Sequence, residues 1–159
     1  MARVVTLVLC VAFGLVFLSR SCALTRAGGP IALTHGRIVN GAGADQVTRL
    51  LVIADKRIAS ISLDTDAVSP PSGARIVDVT GLYVAAATFD RSAPTLMDGI
   101  RHVWIGQMSV GDPGDVVITR VNPGRVRPGL LPETDAIVAA VVDGVYYTAR
   151  DLSRRRPPY

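Results

Sequence analysis

His35 and His102 are the only two side chains in this 159-residue chain that offer an imidazole to a metal or to proton transfer. A catalytic zinc usually takes three protein ligands. These two histidines lie far apart in sequence and have no cysteine partner, so His35 reads as part of a polar turn and His102 as part of a connecting loop. Asp64-Thr65-Asp66 offers two carboxylates to calcium, but the central glycine and closing glutamate of a calcium loop are missing. Gly41-Ala42-Gly43 opens like a dinucleotide-binding turn, yet the third glycine is absent and no helical pattern follows. The serines show no nucleophile elbow. Glu133, the only glutamate, sits in a proline-rich loop, a poor setting for a general base. Asp112 and Asp115 flank Pro113-Gly114, a turn signature, and are predicted to cap that turn. The residues therefore designate no catalytic, cofactor-binding or metal-binding position, and no cofactor is implied.

The elements around these residues read as strands. Ile31 to Val39 is predicted to form a strand pair turning at Thr34-His35-Gly36. Leu50 to Ile53 and the alternating run Ile58 to Leu63 flank Asp55-Lys56, a tight-turn candidate that lacks the glycine a type I′ hairpin favours. Ile76 to Val79 and Leu82 to Phe89 lie on either side of Thr80-Gly81. Asp115 to Arg120 is rich in valine and isoleucine. Ile137 to Val142 and Val145 to Thr148 are joined by Asp143-Gly144, a strong two-residue hairpin signal. The stretch from Asn122 to Pro132 holds prolines and glycines and reads as a loop. Short β-branched runs at regular spacing point to an all-β sandwich or barrel. No stretch after Leu24 has a helical period.

Composition sets outer limits. A hydrophobic share of 49% supports a real core, and a domain of about this size buries roughly two-thirds of its unfolded surface. The net charge of +4 comes almost wholly from arginine, Lys56 being the only lysine. Aromatic residues are sparse and not interleaved with the arginines, so a nucleic-acid partner is not expected. Residues 1–23 read as an export signal. Arg3 precedes an uncharged apolar run from Val4 to Leu18, which as a helix spans about 22 Å against a bilayer core of about 30 Å. Ser21 and Ala23 then provide the small residues of a cleavage site, with Leu24 as the first mature residue. An uncleaved anchor is the alternative, since Arg20 and Arg26 follow the run. Cys10 and Cys22, the two cysteines, both fall within this segment, and removal at Ala23 would leave neither disulfide nor thiol nucleophile. Residues 24–30 read as a linker and residues 149–159 as a disordered basic tail.

Two phrases organise the rest. The first comprises Asp55-Lys56-Arg57-Ile58, then Ile76-Val77-Asp78-Val79-Thr80-Gly81, then Phe89-Asp90. The second comprises Gly106, Met108, Val110-Gly111-Asp112-Pro113-Gly114-Asp115 with Val116-Val117-Ile118, and closes on Asp143-Gly144-Val145-Tyr146. In this order they resemble the two halves of the composite β-sandwich of the amidohydrolase superfamily of metal-dependent hydrolases. There, a catalytic (β/α)8 barrel separates the halves. Such a barrel needs roughly 200 residues or more, whereas only residues 91–104 join the halves 31–90 and 105–148 here.

The resemblance implies a single all-β composite domain over 31–148, with 91–104 as a surface loop that tolerates replacement. The family's paired metal histidines would fall at Ser92 and Pro94, neither of which is an imidazole. Ala86-Ala87 replace the Pro-Gly that leads into the barrel. The implied protein is an exported, non-catalytic structural or binding module. It would pair with itself or with another protein through the face a barrel covers, and meet a membrane only through an uncleaved N-terminal segment. The alternative is a hydrolase acting on carbon–nitrogen (non-peptide) bonds, with a partner chain supplying the metal site.

Overall fold

A computed structural model describes residues 28–39, 45–63, 68–104, 107–125 and 134–157. The predicted signal helix, the first four residues of the linker, Asp64 to Asp66, the Gly41 to Gly43 turn and Glu133 lie outside the described residues.

Nine strands account for most of the described chain: β1 (Ile31–Val39), β2 (Asp45–Ala54), β3 (Arg57–Leu63), β4 (Arg75–Asp78), β5 (Tyr83–Phe89), β6 (Ile100–Trp104), β7 (Val116–Thr119), β8 (Ile137–Val142) and β9 (Val145–Thr148). The all-β expectation holds. They form one hydrogen-bonded sheet in the order β3-β2-β1-β5-β7-β8-β9, with β4 added to β1 and β6 added to β5. The two halves meet where β5 pairs antiparallel with β7, Val84 opposite Ile118. The expected sandwich is thus a single bent sheet. The bend brings β3 to the turn before β7, where Ile58 N–H donates to Asp112 O at 2.9 Å and Gly111 N–H to Ile58 O at 2.8 Å.

His35 marks one bend. The structure shows one continuous strand at Ile31–Val39 where the residues predicted a strand pair. His35 takes a left-handed φ of 59° inside it. The first half of β1 then pairs parallel with β4, and the second half with β5. Gly36 permits the close approach, because a Cβ there would lie 2.8 Å from Val79 Cγ2. Both tight turns are of the primed kind that matches strand twist. Asp55 and Lys56 have φ of 50° and 64°, Asp143 and Gly144 of 52° and 75°.

Alternation along β5, β7 and β8 sends side chains to opposite faces. Val84, Val116, Ile118, Ala139 and Val141 pack with Leu33, Leu51, Ile53 and Ile58 from β1–β3. Ala85, Val117, Ala140 and Val142 face the other way. All four residues of β7 are buried, as a strand covered on both faces requires.

The cover on that second face corrects two expectations. Residues 91–104 are not a plain surface loop. They contain β6, and Leu96, Ile100 and Val103 pack onto Ala85, Val117 and Val142. Leu96 has no exposed surface; burying a side chain of this size stabilises by about 1.5–3 kcal/mol. The stretch folds back on itself, with Asp90 N–H donating to Gly99 O at 2.6 Å. Gly99 is required there, since a Cβ would sit 2.6 Å from Asp90 O. Nor is the described part of the tail 149–159 disordered. Thr148 and Asp151 form a reciprocal capping box for α1 (Ala149–Leu152), and Leu152 is fully buried in the same cluster. Met97 N–H donates to Leu152 O at 3.0 Å and Leu96 N–H to Arg155 O at 2.9 Å. The connection and the tail hold each other on the sheet.

Candidate functional site

Charged side chains from four separate parts of the chain converge beside the β5–β7 junction. Lys56 comes from the β2–β3 turn, Arg91 from just after β5, Asp115 from just before β7 and Asp143 from the β8–β9 turn. Arg91 Nη1 donates to Asp143 Oδ2. Lys56 Nζ lies 3.5 Å from Asp143 Oδ1, and Arg91 Nη2 lies 3.9 Å from Asp115 Oδ2. Asp143 N–H donates to Asp115 Oδ1 at 2.8 Å.

The two carboxyls respond in opposite directions. Arg91 holds Asp143 below the usual carboxylate range. Burial pushes Asp115 up, and the neighbouring N–H and cations offset that only in part. An ionised carboxylate removed from water needs full compensation, and Asp115 does not receive it.

Asp115 also lines a cleft of about 600 Å³. The apolar wall is Ala86, Phe89, Met108 and Pro113; Thr88, Gln107 and Asp112 contribute polar groups. The cleft exists because β5 runs on to Phe89 while β7 begins opposite Ala86. The segment 113–115 that leads into β7 fills the ladder only as far as Ala87, whose N–H donates to Asp115 O at 3.0 Å.

The predicted positions fall as follows. Neither aspartate caps a turn at Pro113-Gly114, where Pro113 bridges to Arg57 instead. Asp112 caps the preceding turn, accepting Ser109 N–H at 2.8 Å, and Asp115 ties β7 to the distant β8–β9 turn. Ser92 closes a local turn, donating through N–H at 2.8 Å and through Oγ at 2.6 Å to Asp90 Oδ1. Pro94 is exposed in the same segment. His35 is exposed, with Nδ1 at 3.4 Å from Asp78 Oδ1. His102 stands opposite Thr88 on β5, whereas β1 meets β5 at Arg37 and Ile38, opposite Tyr83 and Val84. That offset along β5 is more than about 13 Å at strand rise, so the fold does not bring the histidines together. Among the described residues no three His, Cys, Asp or Glu side chains converge as a metal site. The charged cluster escaped sequence reading because its members lie far apart in the chain; Lys56, Asp115 and Asp143 each carried a turn signal, and none of those signals indicates that they meet.

No family model matches this chain, and no curated protein matches it. Among solved structures it is locally similar to a D-hydantoinase, at 25% identity and a TM-score of 0.29 over 38% of this chain and 13% of that one. It is also similar to the dihydropyrimidinase of Brevibacillus agri NCHU1002, at 21% identity and a TM-score of 0.30 over 38% and 12%. A structure described as a prolidase, from Bifidobacterium longum, matches at 31% identity and a TM-score of 0.32 over 38% and 16%. The chain thus spans a small fraction of each of these proteins, and likeness of that extent carries neither a shared fold for the whole chain nor an activity.

Proposed function

We propose that this chain is an exported, non-catalytic binding or structural module of the amidohydrolase composite-domain type. One observation carries the reading. At the place where the resemblance puts paired metal histidines, Ser92 is committed to a turn with Asp90, at 2.6 Å from its hydroxyl, and the segment that follows packs onto the sheet as core. The second face of the sheet is covered by the chain's own Leu96, Ile100, Val103 and Leu152. Recognition, of a second copy or of another molecule, is left to the open end beside Asp115.

The test is to recover the mature protein from its native envelope fraction and to assay the eluate for metal and for hydrolysis of carbon–nitrogen bonds. This reading expects the protein without stoichiometric metal and without turnover. Recovery with a metal-loaded barrel chain, and turnover that depends on both, would contradict it and establish the two-chain hydrolase instead.

A further inference from the structure

We propose that the cleft beside Asp115 binds a small organic cation, an ammonium group carried on an apolar body. The inference deepens the reading of the chain as a binding module and rests on it only in placing recognition at this end.

The cleft has the right size: its volume of about 600 Å³ lies within the roughly 300–1,000 Å³ of small-molecule sites, which are mostly apolar with a few placed polar groups. Among its described lining residues the charge has one sign. The described residues that line it include two carboxylates, Asp112 and Asp115, and no basic side chain. The nearby cations are engaged mainly elsewhere. Arg91 and Lys56 pair with Asp143, Arg91 reaching Asp115 only at 3.9 Å, and Arg57 Nη1 donates to Gly111 O at 2.7 Å.

Asp115 is the anchor. Its Oδ1 accepts the Asp143 N–H. Its Oδ2 lies 3.9 Å from Arg91 Nη2, beyond hydrogen-bond reach, and keeps acceptor capacity. A half-buried carboxylate in that condition gains most from a charge-assisted hydrogen bond. An ammonium group provides one, while Phe89, Met108 and Pro113 receive the apolar body. A neutral ligand would bury the carboxylate further without compensation, and an anion would be repelled. A metal ion is a poor match, because calcium takes 6–8 oxygen ligands and the wall here is apolar.

The experiment is calorimetric titration of the full chain with 2-phenylethylammonium, with 2-phenylethanol and 3-phenylpropionate as neutral and anionic counterparts. The ammonium should bind at least tenfold more tightly than either counterpart. Asp115→Asn keeps an oxygen for the Asp143 N–H and removes the charge, so it should weaken ammonium binding tenfold or more. Thr88→Trp, at an exposed position on the cleft wall, should block binding while leaving the charged cluster intact. The proposal is overturned if the ammonium does not bind, if the alcohol binds equally well, or if neither substitution changes the affinity. Binding accompanied by turnover would leave this inference standing and sink the non-catalytic reading. Absence of binding would do the reverse.

Discussion

The main-chain N–H of Asp143 donates to Asp115 Oδ1 at 2.8 Å, so the turn between β8 and β9 is fastened to the residue that opens β7. Arg91 and Lys56 add charge to the same knot. Asp115→Ala leaves the Asp143 N–H without this acceptor and should cost about 1–3 kcal/mol, the range for a deleted partner of a desolvated donor. Asp115→Asn retains an acceptor and should cost about 1 kcal/mol or less. Urea unfolding of the two variants measures the difference. Equal losses would mean that the hydrogen bond contributes nothing beyond the charge.

The opposed shifts of Asp143 and Asp115 predict a two-phase response to acid. Asp143 is held low by Arg91. Its contribution is complete above the unfolded-state pKa and is lost as pH falls through its lower folded value. Asp115 is raised by burial. Ionised, it lowers stability near neutrality, and that cost disappears as pH falls through its raised value. Acidification should first hold or increase stability and then reduce it once pH passes below the ordinary aspartate range. Asp78 and Asp151, held low by Thr80 and Thr148, steepen the second phase. Urea melts across pH provide the check. Asp115→Asn should remove the first phase, and Asp143→Asn should weaken the second.

Leu96 and Leu152 test the connection between the halves. Each is fully buried in one cluster, and Leu→Ala at such sites costs about 2–5 kcal/mol. A Gly/Ser linker in place of residues 92–101 should unfold the domain as readily as Val117→Asp, which puts a charge on a fully buried strand position. A linker variant with wild-type urea stability would show that this segment is dispensable.

These elements also show what the sequence made legible. Asp55-Lys56 and Asp143-Gly144 were readable because a two-residue turn leaves few options for its residue types. Strand β6 was not, because its pairing with β5 shifts register between Thr88 and Phe89. Ile100 and Val103 therefore face the same cluster three residues apart, and the apolar pattern loses its strand period. Helix α1 did carry a signal, Thr148 and Asp151 at capping-box spacing, but the arginines and prolines of the tail outweighed it. What buries Leu152 is the cluster it joins with Leu96, Ile100, Val117 and Val142, which no local pattern encodes. The Asp115 cluster was hidden for the same reason, being assembled from four turns and strand ends by the sheet.

Export is tested by the N-terminus of the protein in its host. The run from Val4 to Leu18, followed by Ser21 and Ala23, should be removed to leave Leu24 first, which mass spectrometry of the intact protein reads directly. Full-length chain released only by detergent would favour the anchor.

The central claim, that the chain is a module without its own metal centre, is met most directly by zinc equilibrium dialysis of the purified protein followed by elemental analysis. The account predicts far less than one zinc per chain, with Ser92 committed to its turn and His35 and His102 held apart along β5. About one tightly bound zinc per chain would contradict it.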